Sequence, residues 1–193
     1  MLDNLEKYKV ILASGSPRRR ELMAGLGVNY EVRILPDVDE SYPDTLQGEE
    51  IPLYIAKEKA DAYIPMMQPN ELIITADTIV WLDGKVLVKP RDREDALQML
   101  RTMSGRTHEV FTGVCITTTD WQRSFTAQTE VRFATLSEDE IIYYVDNFKP
   151  MDKAGAYGVQ EWIGFIGVEN ISGSYYNIMG LPVQKLYREL LKV

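Results

Sequence analysis

Two short apolar runs, Val10-Ile11-Leu12-Ala13 and Leu72-Ile73-Ile74-Thr75-Ala76, each give way to polar residues that open something new. Runs this short and this apolar suit strands buried on both faces, which occur where helices cover both sides of a sheet. The stretches between and after them carry apolar residues at helical spacing, so strands and helices alternate along the chain. Residues 8–13 read as the first strand. Ser16-Pro17 then offers an N-cap followed by proline at the first helical position, and Leu22, Met23 and Leu26 share one face of a helix that stops near Gly27. A strand over 31–34 runs into an acidic loop, residues 37–50, with six carboxylates and no cation. A helix starting near Pro52 is expected to bury Tyr54, Ile55, Ala60 and Tyr63.

The second half follows the same logic. Leu72 to Ala76 is a buried strand that ends at Asp77, and Asp83-Gly84 is a favoured two-residue hairpin turn. Asp92 caps a helix with Ala96, Leu97, Leu100 and Met103 inward. Two long strands, near 107–118 and 123–133, flank a turn at Asp120. Ser137 and Glu140 have capping-box spacing ahead of the stripe Ile141, Ile142, Tyr144 and Val145. After a loop over 150–158 comes another β region, then a closing helix from about Pro182. The expected fold class is α/β: a mixed, partly parallel twisted sheet in two lobes flanked by helices, with the active-site cleft between the lobes. Residues 1–193 form one domain on this reading.

Composition narrows the function. The 193 residues are 45% apolar and 26% charged, which is ordinary for a globular chain, and 21 Lys and Arg against 29 Asp and Glu leave a formal charge of −8. That balance argues against duplex nucleic acid or an anionic membrane as partner, while a small anion responds to the local field of a cleft. One cysteine, Cys115, and one histidine, His108, exclude an internal disulfide and a cluster of histidine ligands. No run is long enough for a signal-peptide core or a membrane span, so the chain is expected to be cytoplasmic.

Four segments carry chemistry. Ser14-Gly15-Ser16-Pro17-Arg18-Arg19-Arg20 sits where a strand turns into a helix N-terminus; backbone N–H groups, hydroxyls and guanidiniums converging there suit a polyphosphate, although a solvated basic first turn has the same composition. Three arginines at the positive end of a helix dipole ask for a compensating anion. Asp77-Thr78 places a carboxylate where open α/β sheets put their ligand crevice, to hold a divalent metal, to activate water, or only to cap the strand. Lys89-Pro90 offers a lysine for phosphate oxygens or for solvent. In Asp152-Lys153-Ala154-Gly155-Ala156-Tyr157-Gly158-Val159-Gln160, small residues allow close approach of a ligand, and the Gln160 amide can read a base edge. Glu40 is a further carboxylate for a metal. His108, in a strand-like context, reads as a structural hydrogen-bonding group.

Taken together these segments resemble the Maf family of nucleotide pyrophosphatases. The likeness runs from Leu12-Ala13-Ser14-Gly15-Ser16-Pro17-Arg18-Arg19 through Asp39-Glu40, Ala56-Lys57-Glu58-Lys59-Ala60, Ala76-Asp77-Thr78, Lys89-Pro90 and Ser104-Gly105-Arg106-Thr107-His108. It continues through Asp152 to Gln160 and on to Gly180-Leu181-Pro182. The resemblance implies hydrolysis of nucleoside triphosphates to the monophosphate and pyrophosphate, a house-cleaning role, with a divalent cation, Mg or Mn. It implies Asp77 as general base and metal-linked carboxylate with Glu40 beside it. Ser14, Arg18, Arg19, Lys59, Lys89 and Lys153 are the implied phosphate-binding set. Arg18, Thr78 and Gln160 are similar to the branch acting on dTTP and UTP. The family pattern has Gly after that Gln, whereas this chain has Glu161, whose carboxylate either narrows the base pocket or points to solvent. The implied partner is a small nucleotide, not a nucleic acid polymer or a membrane, and the implied assembly is a homodimer. Two other readings compete: a purine-directed house-cleaning enzyme similar to the inosine triphosphate pyrophosphatases, and a nucleotide-binding regulator of division without turnover.

Overall fold

The computed structural model describes residues 2–193. In chain order the elements are β1 (Lys9–Leu12), α1 (Pro17–Gly25), β2 (Glu31–Val32), α2 (Glu50–Asp61), β3 (Glu71–Leu82), β4 (Lys85–Leu87) and α3 (Arg93–Met103). Then follow β5 (Thr107–Thr117), β6 (Gln122–Phe133), α4 (Glu138–Phe148), α5 (Trp162–Gly167), β7 (Val168–Ser172), α6 (Tyr175–Ile178) and α7 (Val183–Leu190). The strand order is β2-β1-β3-β5-β6-β7, with β4 on β3. β1 pairs parallel with β2 and β3, whereas β4 and β7 pair antiparallel with β3 and β6. This is the mixed α/β sheet expected from the pattern.

The chain divides into two compact units. The first comprises the residues up to Asp77, Thr112–Ala127 and Gly180–Val193; the second comprises Thr78–Phe111 and Gln128–Met179. In the first unit Val10, Ile11, Leu12, Leu72, Ile73 and Ile74 are all buried, as strands covered on both faces must be. Ile11 and Ile73 pack with Tyr63, and Ala13, Leu35 and Met67 fill in around them. In the second unit α3 and α4 lie together. Ala96, Leu97, Leu100 and Met103 of one and Ile141, Tyr144 and Val145 of the other are buried, and Arg93–Asp146 and Arg101–Glu138 ion pairs lie outside them.

Helix starts form where the sequence puts caps. The Ser16 hydroxyl accepts from Arg19 N with Pro17 at the first helical position, Asp92 accepts from Asp95 N at 2.8 Å, and Ser137 and Glu140 complete a capping box. The β3–β4 turn places Asp83 at φ 52° and Gly84 at φ 76°, the paired positive values that a tight hairpin requires.

Four expectations are corrected. Asp77 does not end a strand: β3 continues to Leu82, because a polar side chain does not interrupt backbone pairing, and Ile79, Val80 and Leu82 beyond it are buried. The strand near 31–34 is only Glu31–Val32. Tyr54 is half-buried rather than inward, and Tyr63 lies beyond the last turn of α2. The β region expected after residue 158 begins with a helix, α5, before β7. Its Trp, Ile and Phe favour strand by propensity, but Gly164 lets the helix press onto the Val159 carbonyl, where a Cβ would come within 1.8 Å.

Candidate active site

In the first unit, helix α2 and strand β3 are locked in register. The Thr75 hydroxyl donates to the Ala56 carbonyl at 2.6 Å, and Ala56 and Ala60 pack against Cys115. Small residues at that face let the helix backbone approach the sheet. Asp77 stands two residues beyond Thr75, on the same face of β3, and Lys59 stands three beyond Ala56, on the same face of α2. The two side chains therefore meet: Lys59 Nζ donates to Asp77 Oδ1 at 2.9 Å. The same ammonium lies 2.8 Å from Glu40 Oε1. Lys59 and Asp77 are each only 14% exposed, and Glu40, at 59%, is the solvent side of the cluster.

Glu40 reaches this place from a braced loop. The Tyr63 hydroxyl donates to the Arg33 carbonyl at 2.8 Å and accepts from Leu35 N at 3.1 Å. Beside Glu40, Ser41 donates through its N–H and its hydroxyl to the Asp39 carboxylate, and these bonds hold Asp39 below its ordinary pKa. Arg19 enters from the first turn of α1, with Nε donating to the Gly180 carbonyl at 2.7 Å. Burial lowers the Arg19 pKa; the charges of Asp77 and Glu40 oppose that, and the neighbouring Arg18 adds to it. Ser14 is buried where β1 runs into α1, and its hydroxyl accepts from Ser16 N at 3.3 Å. Arg18 is half-buried on the first turn of α1.

The first unit thus holds Ser14, Arg18, Arg19, Glu40, Lys59 and Asp77, drawn from four separate stretches of sequence. The Gly180 carbonyl was missed in the sequence, because a backbone acceptor leaves no side-chain signal. Oxygen donors from two carboxylates suit a hard divalent cation of the magnesium type, which keeps waters and takes further oxygens from a bound phosphate. No group of three or more His, Cys, Asp or Glu side chains placed to hold a metal occurs among the described residues, and Asp77 and Glu40 share Lys59 between them.

In the second unit, Thr78 is half-buried in β3, directly after Asp77, and Lys89 is exposed ahead of a buried Pro90. The loop over 152–160 is tightly fixed. Gly155 N donates to the Val88 carbonyl at 3.2 Å, and Gly155 and Ala156 are successively left-handed, at φ 68° and 58°. A Cβ on Gly155 would meet the Val80 methyls at 3.0 Å. Tyr157 is buried, its pKa is raised by that burial, and its hydroxyl shares a hydrogen bond with His108 Nε2 at 2.7 Å. Burial pushes His108 down to about 4, which keeps the imidazole neutral. His108 is structural, as the sequence suggests.

Lys153 is buried, with Nζ 2.8 Å from Asp152 Oδ1 and 3.1 Å from Glu161 Oε1. Gln160 Oε1 is buried with no hydrogen-bond partner among the described residues. A buried acceptor left open is costly unless a ligand meets it. Glu161 does not point to solvent: its carboxylate turns inward to Lys153 and Tyr144.

A Ham1 protein from Staphylococcus aureus has a related fold, with a TM-score of 0.53 at 17% identity, covering 94% of this chain and 99% of that one. Fold and site together define an α/β protein of the Ham1 fold with a lysine held between two carboxylates and flanked by arginine. More particularly, the chain belongs to the family described as Maf-like protein, whose profile matches residues 9–193. A relative from Bacteroides thetaiotaomicron named dTTP/UTP pyrophosphatase is 72% identical over 193 residues, spanning all of both chains. Relatives of the same name are 68% identical over 193 residues in Phocaeicola vulgatus and 55% identical over 192 residues in Porphyromonas gingivalis, the latter spanning 98% of this chain and 96% of its own.

Proposed function

We propose that this protein hydrolyses nucleoside triphosphates, dTTP and UTP in the first place, to the monophosphate and pyrophosphate. The carrying observation is the cluster in which Lys59 bridges Asp77 and Glu40 with Arg19 in their field. Relatives of that name at 55–72% identity support it.

A triphosphate brings about four negative charges, and its hydrolysis is slow largely because those charges repel the attacking oxygen. Arg18, Arg19 and Lys59 offset them, and Ser14, at the positive end of the α1 dipole, meets the phosphate oxygens. Asp77 orients a water in line with the α-phosphorus and takes its proton as the new P–O bond forms. The bond to the bridging oxygen breaks, and pyrophosphate leaves against the cations. Lys89 and Lys153 complete the phosphate-binding set. Glu40 and Asp77 would hold a divalent cation, Mg or Mn, which when bound supplies further charge neutralisation at the phosphates.

Base choice falls to Gln160, with Thr78 beside Asp77. The open Gln160 Oε1 accepts from a donor such as the N3–H of thymine or uracil, which cytosine lacks. The enzyme so described is homodimeric, as the family resemblance implies.

The test is a panel of dTTP, UTP, dCTP, inosine triphosphate and 7-methyl-GTP, assayed for pyrophosphate with Mg²⁺ or Mn²⁺ on wild type and Asp77→Asn. Wild type is expected to prefer dTTP and UTP, and Asp77→Asn to lose about a thousandfold in kcat. Unchanged release by Asp77→Asn overturns the role of Asp77. Binding without turnover by wild type makes the protein a nucleotide-binding regulator, and preference for inosine triphosphate makes it purine-directed.

A further inference from the structure

Glu161 occupies the N-cap of α5 yet makes no cap: its side chain accepts nothing from the helix N-terminus. Its carboxylate turns the other way. Tyr144, from the buried face of α4, donates its hydroxyl to Glu161 Oε2, and the same hydroxyl accepts from Gly158 N at 3.0 Å. Glu161 Oε1 lies 3.1 Å from Lys153 Nζ, whose other partner is Asp152 at 2.8 Å. Every polar group in this chain, from the Gly158 amide through Tyr144 and Glu161 to Lys153, has a partner. Burial and the adjacent carboxylate push the Tyr144 pKa up, so the hydroxyl stays a donor.

The space is built for it. A Cβ on Gly158 would lie 2.9 Å from Glu161 Cδ and 3.0 Å from Lys153 Cε, so the two side-chain ends lie where a larger residue would have to displace them. Glu161 N donates to the Gly158 carbonyl at 3.0 Å, and Gly164 N donates to the Glu161 carbonyl at 2.9 Å. Backbone and side chain of Glu161 are therefore both held. Gln160, directly before it, has its Oε1 buried and unpaired, with no hydrogen bond of that atom's own to fix where it points.

We propose that Glu161, held by Tyr144 and Lys153, is a positioning residue that fixes the Gln160 amide and thereby sets base selectivity. The inference rests on the functional reading above, in which Gln160 meets the base. A charged hydrogen-bond network that locks the following residue preorganises an acceptor that would otherwise rotate, and preorganisation acts on discrimination more than on the chemical step.

The experiment compares kcat/KM for dTTP with that for dCTP in wild type, Glu161→Gln, Tyr144→Phe and the double variant, with thermal midpoints alongside. Glu161→Gln keeps size and removes charge; Tyr144→Phe removes only the hydroxyl. Each single variant is expected to lose about tenfold of the dTTP preference, through KM for dTTP, with kcat within about threefold of wild type. The double variant is expected to lose no more than the worse single, since both act through one network. Undiminished preference in the single variants, or losses that multiply in the double, overturns the proposal while leaving the functional reading intact. A loss of selectivity matched by an equal fall of kcat for both nucleotides and a lower thermal midpoint makes Glu161 merely structural, and overturns it too. Wild type without pyrophosphate release, or without preference for dTTP, overturns the functional reading, and the proposal falls with it.

Discussion

Lys59 holds two carboxylates that would otherwise repel, and it does so from a position only 14% exposed. Replacing it with methionine keeps the aliphatic stem and leaves Asp77 and Glu40 facing each other without the ammonium. Lys59→Met is expected to lose about 1–2 kcal/mol of stability. A divalent cation can replace the missing charge, so Mg²⁺ should raise the thermal midpoint of Lys59→Met more than that of wild type; equal shifts would argue against Glu40 and Asp77 as its ligands. His108 gives a pH signature in the other unit. Its pKa falls from the ordinary 6.5 to about 4 in the folded protein, so the unfolded chain takes up the proton more readily. The stability this contributes is present above about pH 6.5 and is lost as pH falls toward 4. Between about pH 7 and pH 5 that amounts to about 2 kcal/mol. Urea unfolding should therefore show wild type losing about 2 kcal/mol more over that interval than His108→Gln, which cannot titrate.

At the scale of elements, the placement of Lys59 depends on how closely α2 lies on the sheet. Gly113 in β5 is the contact: a Cβ there would come within 2.3 Å of the Pro52 carbonyl oxygen and 2.4 Å of Leu53 N, both backbone. Backbone cannot swing aside as a side chain can. Gly113→Ala is expected to cost about 3 kcal/mol and to reduce pyrophosphate release by more than the fraction unfolded explains, because the helix carrying Lys59 must shift. Denaturant titration with activity measured on the folded fraction separates the two effects. Elements announced by local chemistry were legible in the sequence: the Ser16, Asp92 and Ser137 caps and the Asp83-Gly84 turn all form as their residue types require. The sequence places Asp77 at a strand end whereas β3 runs through it, since a polar residue after an apolar run looks like a boundary although pairing ignores side-chain polarity. Helix α5 was not legible, because its Trp-Ile-Gly-Phe-Ile-Gly sequence is strand-like by propensity and is made helical by the fit of Gly164 against Val159. The Tyr144–Glu161–Lys153 network lay beyond sequence reasoning for another reason: Tyr144 was legible only as core, and its hydroxyl partner comes from a different element.

For the molecule as a whole, the charge of −8 and the two-unit division each carry a consequence. The net charge disfavours a long polyanion and leaves a single small anion allowed. β3, β5 and β6 each begin in one unit and end in the other. Units joined by a linker unfold separately; units that share strand backbones should unfold together. The three tryptophans allow this to be read directly, because Trp121 lies in the first unit and Trp81 and Trp162 lie in the second. A variant keeping only Trp121 and one keeping only Trp162 should give superimposable urea transitions, each also coincident with far-UV circular dichroism. Midpoints separated by more than the differences in stability between the two variants would show that the units unfold independently, with the crossing strands breaking at Asp77 and at the corresponding positions in β5 and β6.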